Sequence, residues 1–202
     1  MIKHIVSALV LGVVAGYLNS NWGSIEAGLW VSDYVFNGAL IVLLFVMGLV
    51  FGLDKESISK MRKTGLKILV IPLAVALGSV AGGAIGALGL GLDVVKTMTV
   101  TAGYGWYTLA GPLVGQLLGA QWGALGFVVN FLRELLTIFT ISLTARIDKY
   151  APIALGGATT MDTTLPVIVR YCGSNSLITA FSSGFTLSMI APLTIIAIAA
   201  LR

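Results

Sequence analysis

Charge is scarce in this sequence. Only 10% of the residues are Asp, Glu, Lys or Arg, whereas 57% are hydrophobic, and a soluble globular domain carries about 25% charged residues. A chain so short of charge cannot cover itself with a polar surface, which excludes a soluble protein. Cysteine and histidine are almost missing too: Cys172 and His4 stand alone. One cysteine excludes an intrachain disulfide, and the pair gives no His/Cys set for a metal cage, so neither metal nor cofactor is expected. No nucleophile–base pair is legible, which argues against an enzyme. The 12 Lys and Arg residues form no nucleic-acid patch.

What is abundant is apolar sequence. Runs fall at about 2–18, 28–53, 66–92, 97–119, 121–144, 151–170 and 175–201. A span needs about 20 residues and at least ~17, so at most seven crossings fit. The expectation is one integral membrane domain over 1–202. The start, Met1 to Leu18, resembles a signal peptide, but another apolar segment follows and Gly12/Gly16 has helix-packing spacing. Glycine recurs four apart at Gly48/Gly52, Gly78/Gly82/Gly86, Gly111/Gly115 and Gly119/Gly123, a spacing that lets helix backbones approach closely.

Two segments do not read as ordinary spans. Gly103-Tyr-Gly-Trp-Tyr-Thr-Leu-Ala-Gly-Pro112 and Gly157-Ala-Thr-Thr-Met-Asp-Thr-Thr-Leu-Pro166 each place a glycine nine residues before a proline. Gly and Pro free backbone groups that hydrocarbon cannot satisfy, so such stretches are tolerated only inside protein or against a wet cavity. Paired Gly/Pro-broken segments point to a midplane site in secondary transporters.

The positive-inside rule puts the loop 54–67, with Lys55, Lys60, Arg62, Lys63 and Lys67, in the cytoplasm. Seven full spans divide the basic residues seven inside to four outside; if both broken segments dip and return, the division is nine to two. The expected architecture is therefore an all-α polytopic membrane protein. It has about five full transmembrane helices plus two re-entrant or broken Gly/Pro-interrupted segments entering from opposite faces. The amino terminus is expected in the cytoplasm and the carboxyl terminus outside.

Ionisable residues at membrane depth are candidate functional groups. The fifth run carries Asn130, Arg133 and Glu134 on or near one helix face; Arg133 and Glu134 side by side suggest mutual neutralisation. They read either as a buried ion pair fixing register or as a site where Glu134 binds a proton or cation. Asp162 lies among Thr159, Thr160, Thr163 and Thr164, whose hydroxyls suit an ammonium or small cation. Tyr104, Trp106 and Tyr107 either face such a cation through their rings or belong to an interfacial belt. Asp33 and Asn37 form a weaker polar spot.

With these residues in view, the chain resembles the lysine exporters of the LysO type. The resemblance rests on Gly103-Tyr-Gly-Trp-Tyr, Asn130-Phe-Leu-Arg-Glu-Leu, the block Ala151 to Ile168 and Ser183-Gly-Phe-Thr-Leu-Ser, and covers most of residues 66–195. It implies a secondary active transporter, or its large subunit, exporting L-lysine or a similar cationic amino acid across the cell (inner) membrane. Exchange for protons is the expected energy source. The acid of the Arg-Glu motif, matching Glu134, is implied to matter for transport. Substrate or protons are then expected at Glu134, Asp162, Asn130, Arg133, Thr160, Thr163, Thr164, Tyr104 and Trp106. Longer family members carry a further hydrophobic amino-terminal region with a second acid, so a small membrane protein partner or a homodimer is expected to complete the site. A cation/proton exchanger of another class, or a non-transporting membrane subunit, are the alternatives.

Overall fold

The computed structural model describes residues 69–202 continuously, together with scattered helical positions between residues 7 and 59. Contacts group the chain into Met1–Phe51 and Gly52–Arg202, and the continuous stretch 69–202 falls within the second unit. The expected runs 2–18 and 28–53, with His4, Asp33, Asn37 and the basic loop 54–67, lie wholly or largely outside the described residues.

Among the described residues every regular element is helical: α1 (Val70–Leu90), α2 (Val94–Thr101), α3 (Tyr107–Leu118), α4 (Ala120–Ile147), α5 (Ala151–Gly156) with a 3-10 turn (Gly157–Met161), α6 (Leu165–Cys172) and α7 (Leu177–Ala199). Local chemistry sets the boundaries. Pro72, Pro152 and Pro166 sit in first turns, where the missing N–H would have no partner anyway. Asp93 caps α2 by accepting from the Lys96 N–H at 3.0 Å. Gly91, at φ +66, ends α1 in the left-handed conformation that glycine adopts without penalty. Three helices are long and apolar enough to cross a membrane: α1, α4, and α7 with its preceding turn from Ser174. At 28 residues, α4 runs ~42 Å, more than the ~30 Å hydrocarbon core.

The two broken segments are hairpins that enter from opposite ends of α4. In the first, Lys96 at the start of α2 lies 5.7 Å from the Trp122 ring. Near the end of α3, a Cβ on Gly123 would lie 2.6 Å from the Gly115 Cα. Both arms thus reach the beginning of α4, which we call the far face. In the second, Ile153 of α5 and Ile168 of α6 join one apolar cluster with Ile141, and Cys172 packs against the same cluster. Both of those arms return to the end of α4, the near face, where α1 begins. The expected re-entrant architecture is thus observed, with α1, α4 and α7 as the crossings of this unit. The 97–119 run, expected as one apolar segment, is two helices joined by an irregular bend at residues 102–106.

Helix α4 is built inside out. Its buried residues are Gly123, Gly126, Asn130, Glu134, Thr137 and Ile141, three or four apart and so on one face. Its exposed residues include Phe127, Val128, Leu132, Leu136, Phe139 and Leu143. Apolar side chains face where lipid would lie, and the small and polar stripe receives the hairpins. Gly111/Gly115 and Gly123 pack α3 on α4 backbone to backbone, as their spacing suggests. Gly78, Gly82 and Gly86 of α1 meet no side chain or backbone within 4 Å among the described residues.

Candidate functional site

The polar stripe of α4 holds both hairpin tips at mid-depth. Asn130, 2% exposed, accepts from the Gly105 N–H at 2.7 Å and donates to the Val100 and Gly126 carbonyls at 2.9 and 2.8 Å. It therefore ties the first tip to α4, satisfying backbone groups that the bend would leave bare. Three residues further along, Arg133 ties down the second hairpin. Its guanidinium donates to the carbonyls of Leu155 (2.8 Å) and Ala154 (3.0 Å) and to the Ser79 hydroxyl of α1 (2.8 Å). Those carbonyls belong to the C-terminal end of α5, where unpaired C=O groups and the helix dipole favour a cation.

The tips also touch each other. The Ala158 N–H donates to the Tyr104 carbonyl at 2.8 Å. Tyr104 holds φ +52, unusual for a non-glycine residue, and its side chain is 1% exposed with the hydroxyl near Thr194 of α7. It is a buried packing residue, so the interfacial-belt alternative does not apply to it. Gly157, at φ +64, has no room for a side chain: a Cβ there would collide with the Tyr104 carbonyl oxygen. Across the junction α7 passes close, since a Cβ on Gly184 would meet the Ala158 carbonyl at 2.8 Å.

Arg133 and Glu134 do not pair. Consecutive helical residues diverge by ~100°, so Arg133 faces α1 and α5 while Glu134 faces the other way. The suggested mutual neutralisation is thereby corrected. Glu134 is 7% exposed, and the Tyr107 phenol lies within electrostatic range of its carboxylate. Tyr107 is held by edge-on packing against Phe127 and Phe131, with ring centroids 5.4 Å away in each case. Asp162 lies near enough for its carboxylate to interact electrostatically with both Glu134 and Tyr107. Among the described residues the one ion pair is Lys96 with Asp93, so neither acid has a counter-cation there.

Of the threonines, only Thr163 serves Asp162 directly, through its N–H at 2.6 Å and its hydroxyl at 3.4 Å. The Thr160 hydroxyl lies 2.8 Å from both the Gly157 and the Ala180 carbonyl oxygens and shares its one proton between them, and Thr159 pairs with Thr164 at 3.2 Å; these three fold the tip. Asp162 and Thr163 are exposed on this unit, whereas Thr160 and Thr164 are fully buried. Trp106 is half-buried at the start of α3, where its carbonyl accepts from Leu109 and Ala110. One participant, Ser79, carries no signal in the sequence, and Ser183 is marked only by its place in the Ser183-Gly-Phe-Thr-Leu-Ser block. Ser79 looks like any small residue in an apolar helix. Ser183, fully buried beside Gly184, carries a hydroxyl with no hydrogen-bond partner among the described residues.

Membrane-length helices that clasp two opposed hairpins, with polar tips meeting at mid-depth beside two acids, are the build of a multi-pass membrane transport protein. Residues 6–199 match the model of the family described as Lysine exporter LysO, and the chain belongs to that family. It is 29% identical over 196 residues to a Haemophilus influenzae protein named "Putative lysine exporter", covering 96% of each chain. It is 33% identical over 159 residues to an Escherichia coli K12 protein named "Lysine exporter LysO", covering 77% of this chain and 52% of that one. The chain thus spans nearly all of one relative and about half of the other. No solved structure matches it.

Proposed function

We propose that this chain exports lysine, or a similar cationic amino acid, in exchange for protons, at a site formed by Glu134, Asp162 and Tyr107. The observation that carries the reading is the acid pair: the Asp162 and Glu134 carboxylates lie within electrostatic range of each other, with no cation from the described residues paired to either. Like charges within electrostatic range repel, and either a proton or an ammonium relieves the repulsion. Competition of the two cations for one place is what exchange requires, because a ligand shifts an equilibrium only through differential affinity.

In this reading Thr163 orients Asp162, and the Tyr107 hydroxyl completes the ammonium's partners. Asn130, Arg133, Tyr104, Thr160 and Thr164 position the tips, and Trp106 shapes the start of α3. The near face is cytoplasmic. Arg146, Lys149 and Arg170 lie at that end, and the basic run 54–67 precedes α1 in the sequence, whereas Lys96 and Arg202 lie at the far end. That division satisfies the positive-inside rule and puts the amino terminus inside and the carboxyl terminus outside. A small membrane partner or a second copy of the chain accompanies it, which co-purification from membranes tests.

The deciding experiment is efflux of labelled lysine from vesicles bearing the wild type, Glu134→Gln, Asp162→Asn and the double variant. Each single change should remove at least ~90% of the rate while leaving the protein in the membrane, and the double change should cost little more, because residues acting as a unit are not additive. Wild-type efflux from both single variants sinks the assignment. Sodium-dependent proton movement without lysine flux in the wild type would instead mark a cation exchanger of another class.

A further inference from the structure

A second polar place remains that the acid pair does not use. Between α1 and α5 runs an open groove of about 580 Å³, leading from Asp148 and Tyr150 at the near face to Ser79 and Arg133 at mid-depth. Its wall is apolar, formed by residues such as Ile71, Ala74 and Val75. The charges at its ends are opposite. At the inner end Arg133 has three of its five N–H groups bonded to Leu155, Ala154 and Ser79, which leaves two. The Ser79 hydroxyl accepts from Arg133 and keeps its own proton to donate. Among the described residues no carboxylate offsets this guanidinium. At the mouth, one oxygen of Asp148 accepts from the Tyr150 N–H at 2.6 Å, which leaves the carboxylate's second oxygen to receive a donor. Ser79 lies nine residues, ~13 Å, along α1 from Val70 at the mouth.

A diamine has no use for the arginine, and an acyl chain has no use for the aspartate. An anion and a cation separated by a few methylenes complement both ends and the wall. We propose that this groove is a loading site for the exported amino acid, distinct from the acid pair. The α-carboxylate sits on Arg133 and Ser79, the methylenes lie along α1, and the side-chain ammonium points to Asp148. The proposal rests on the lysine-export reading and adds a requirement to it: the substrate must carry a carboxylate. The groove thereby distinguishes lysine from its decarboxylated diamine, cadaverine, which the acid pair alone cannot do.

The test uses the full chain in inside-out membrane vesicles, with Ala74→Cys placed in the groove wall on a Cys172→Ser background. The rate of labelling by a membrane-impermeant maleimide is followed. Saturating lysine should slow labelling about tenfold, whereas cadaverine at the same concentration should leave the rate within a factor of about two. Ser79→Ala and Asp148→Asn should each weaken lysine protection severalfold. Equal protection by cadaverine, or no protection by lysine in vesicles that do export labelled lysine, overturns the proposal. Protection by lysine in vesicles with no lysine flux would support the groove while refuting the export reading. A labelling rate insensitive to lysine but raised by delipidation would assign the groove to lipid and overturn the proposal.

Discussion

The junction of the two hairpins can be tested by one methyl group. Gly157→Ala puts a Cβ onto the Tyr104 carbonyl oxygen, and within 3.1 Å of the Arg133 guanidinium carbon. The obstacle on one side is backbone, so no side-chain rotation relieves it, and the tips must separate. Separation breaks the Ala158 to Tyr104 hydrogen bond and leaves a buried N–H unpaired at a cost of ~1–3 kcal/mol. The glycine conformation itself, φ 64 and ψ −127, costs another residue ~1–3 kcal/mol, for a sum of ~2–6 kcal/mol. Gly173 supplies the control. It also has a glycine-only conformation, φ 86 and ψ 161, but a Cβ there meets nothing within 4 Å, so Gly173→Ala carries the conformational cost alone. Unfolding both variants in mixed micelles by added SDS, read by circular dichroism, isolates the junction as the difference between them, ~1–3 kcal/mol. If Gly157→Ala is no less stable than Gly173→Ala, the tips do not meet as described and the shared site fails with them.

Neighbouring contacts give further expected outcomes. Asn130→Leu removes the acceptor for the Gly105 N–H and should cost ~1–3 kcal/mol in the same unfolding assay, with efflux falling in parallel with folded protein. Tyr107→Phe keeps the ring packing on Phe127 and Phe131 but removes the hydroxyl near Glu134; it should raise the KM for lysine severalfold with unchanged unfolding, the effect of losing one hydrogen bond to the substrate, ~1 kcal/mol. Cysteines at Gly91 and at Lys149, at opposite ends of the crossings, should react with impermeant reagents from the outside and the cytoplasmic side respectively; labelling of both from one side contradicts the hairpin arrangement.

Sequence periodicity carried the crossings and the hairpins for a physical reason. Hydrocarbon demands long apolar runs and forbids bare backbone, so departures such as Gly103–Pro112 and Gly157–Pro166 stand out. The Gly-to-Pro spacing itself has a looser meaning. Both glycines lie in the tips, Gly103 within the bend at residues 102–106 and Gly157 in the 3-10 turn, but Pro112 lies inside α3 whereas Pro166 opens α6. Tip contacts instead bring Tyr104 and Gly105 against Gly156, Gly157 and Ala158. Adjacency misled at Arg133 and Glu134, because neighbours in sequence are not neighbours around a helix. The roles of Ser79 and Tyr107 depend on which helix faces them, and a single apolar-helix pattern does not encode that.

Helix α4 explains why so much depends on so few residues. Its polar stripe would count against a soluble helix, whose core face is apolar. In a bilayer, lipid already satisfies the outward Phe, Leu and Val side chains, and apolar burial gives helices little reason to associate. Specific association must then come from close backbone approach and hydrogen bonds. On α4 these are Gly123 and Gly126 against α3, Asn130 against the first tip, and Arg133 against the second. The two ties lie three residues apart, less than one turn, so the tips are held at one depth and not merely on one helix. Glu134 follows Arg133 directly but faces Tyr107 and Asp162 across the helix. The tie therefore sets the height of the second tip relative to the acid without touching it. Moving Arg133 and Glu134 along the helix by one residue would rotate both ~100° and uncouple tip from acid, which is why their order and spacing, and not their charges alone, define the site.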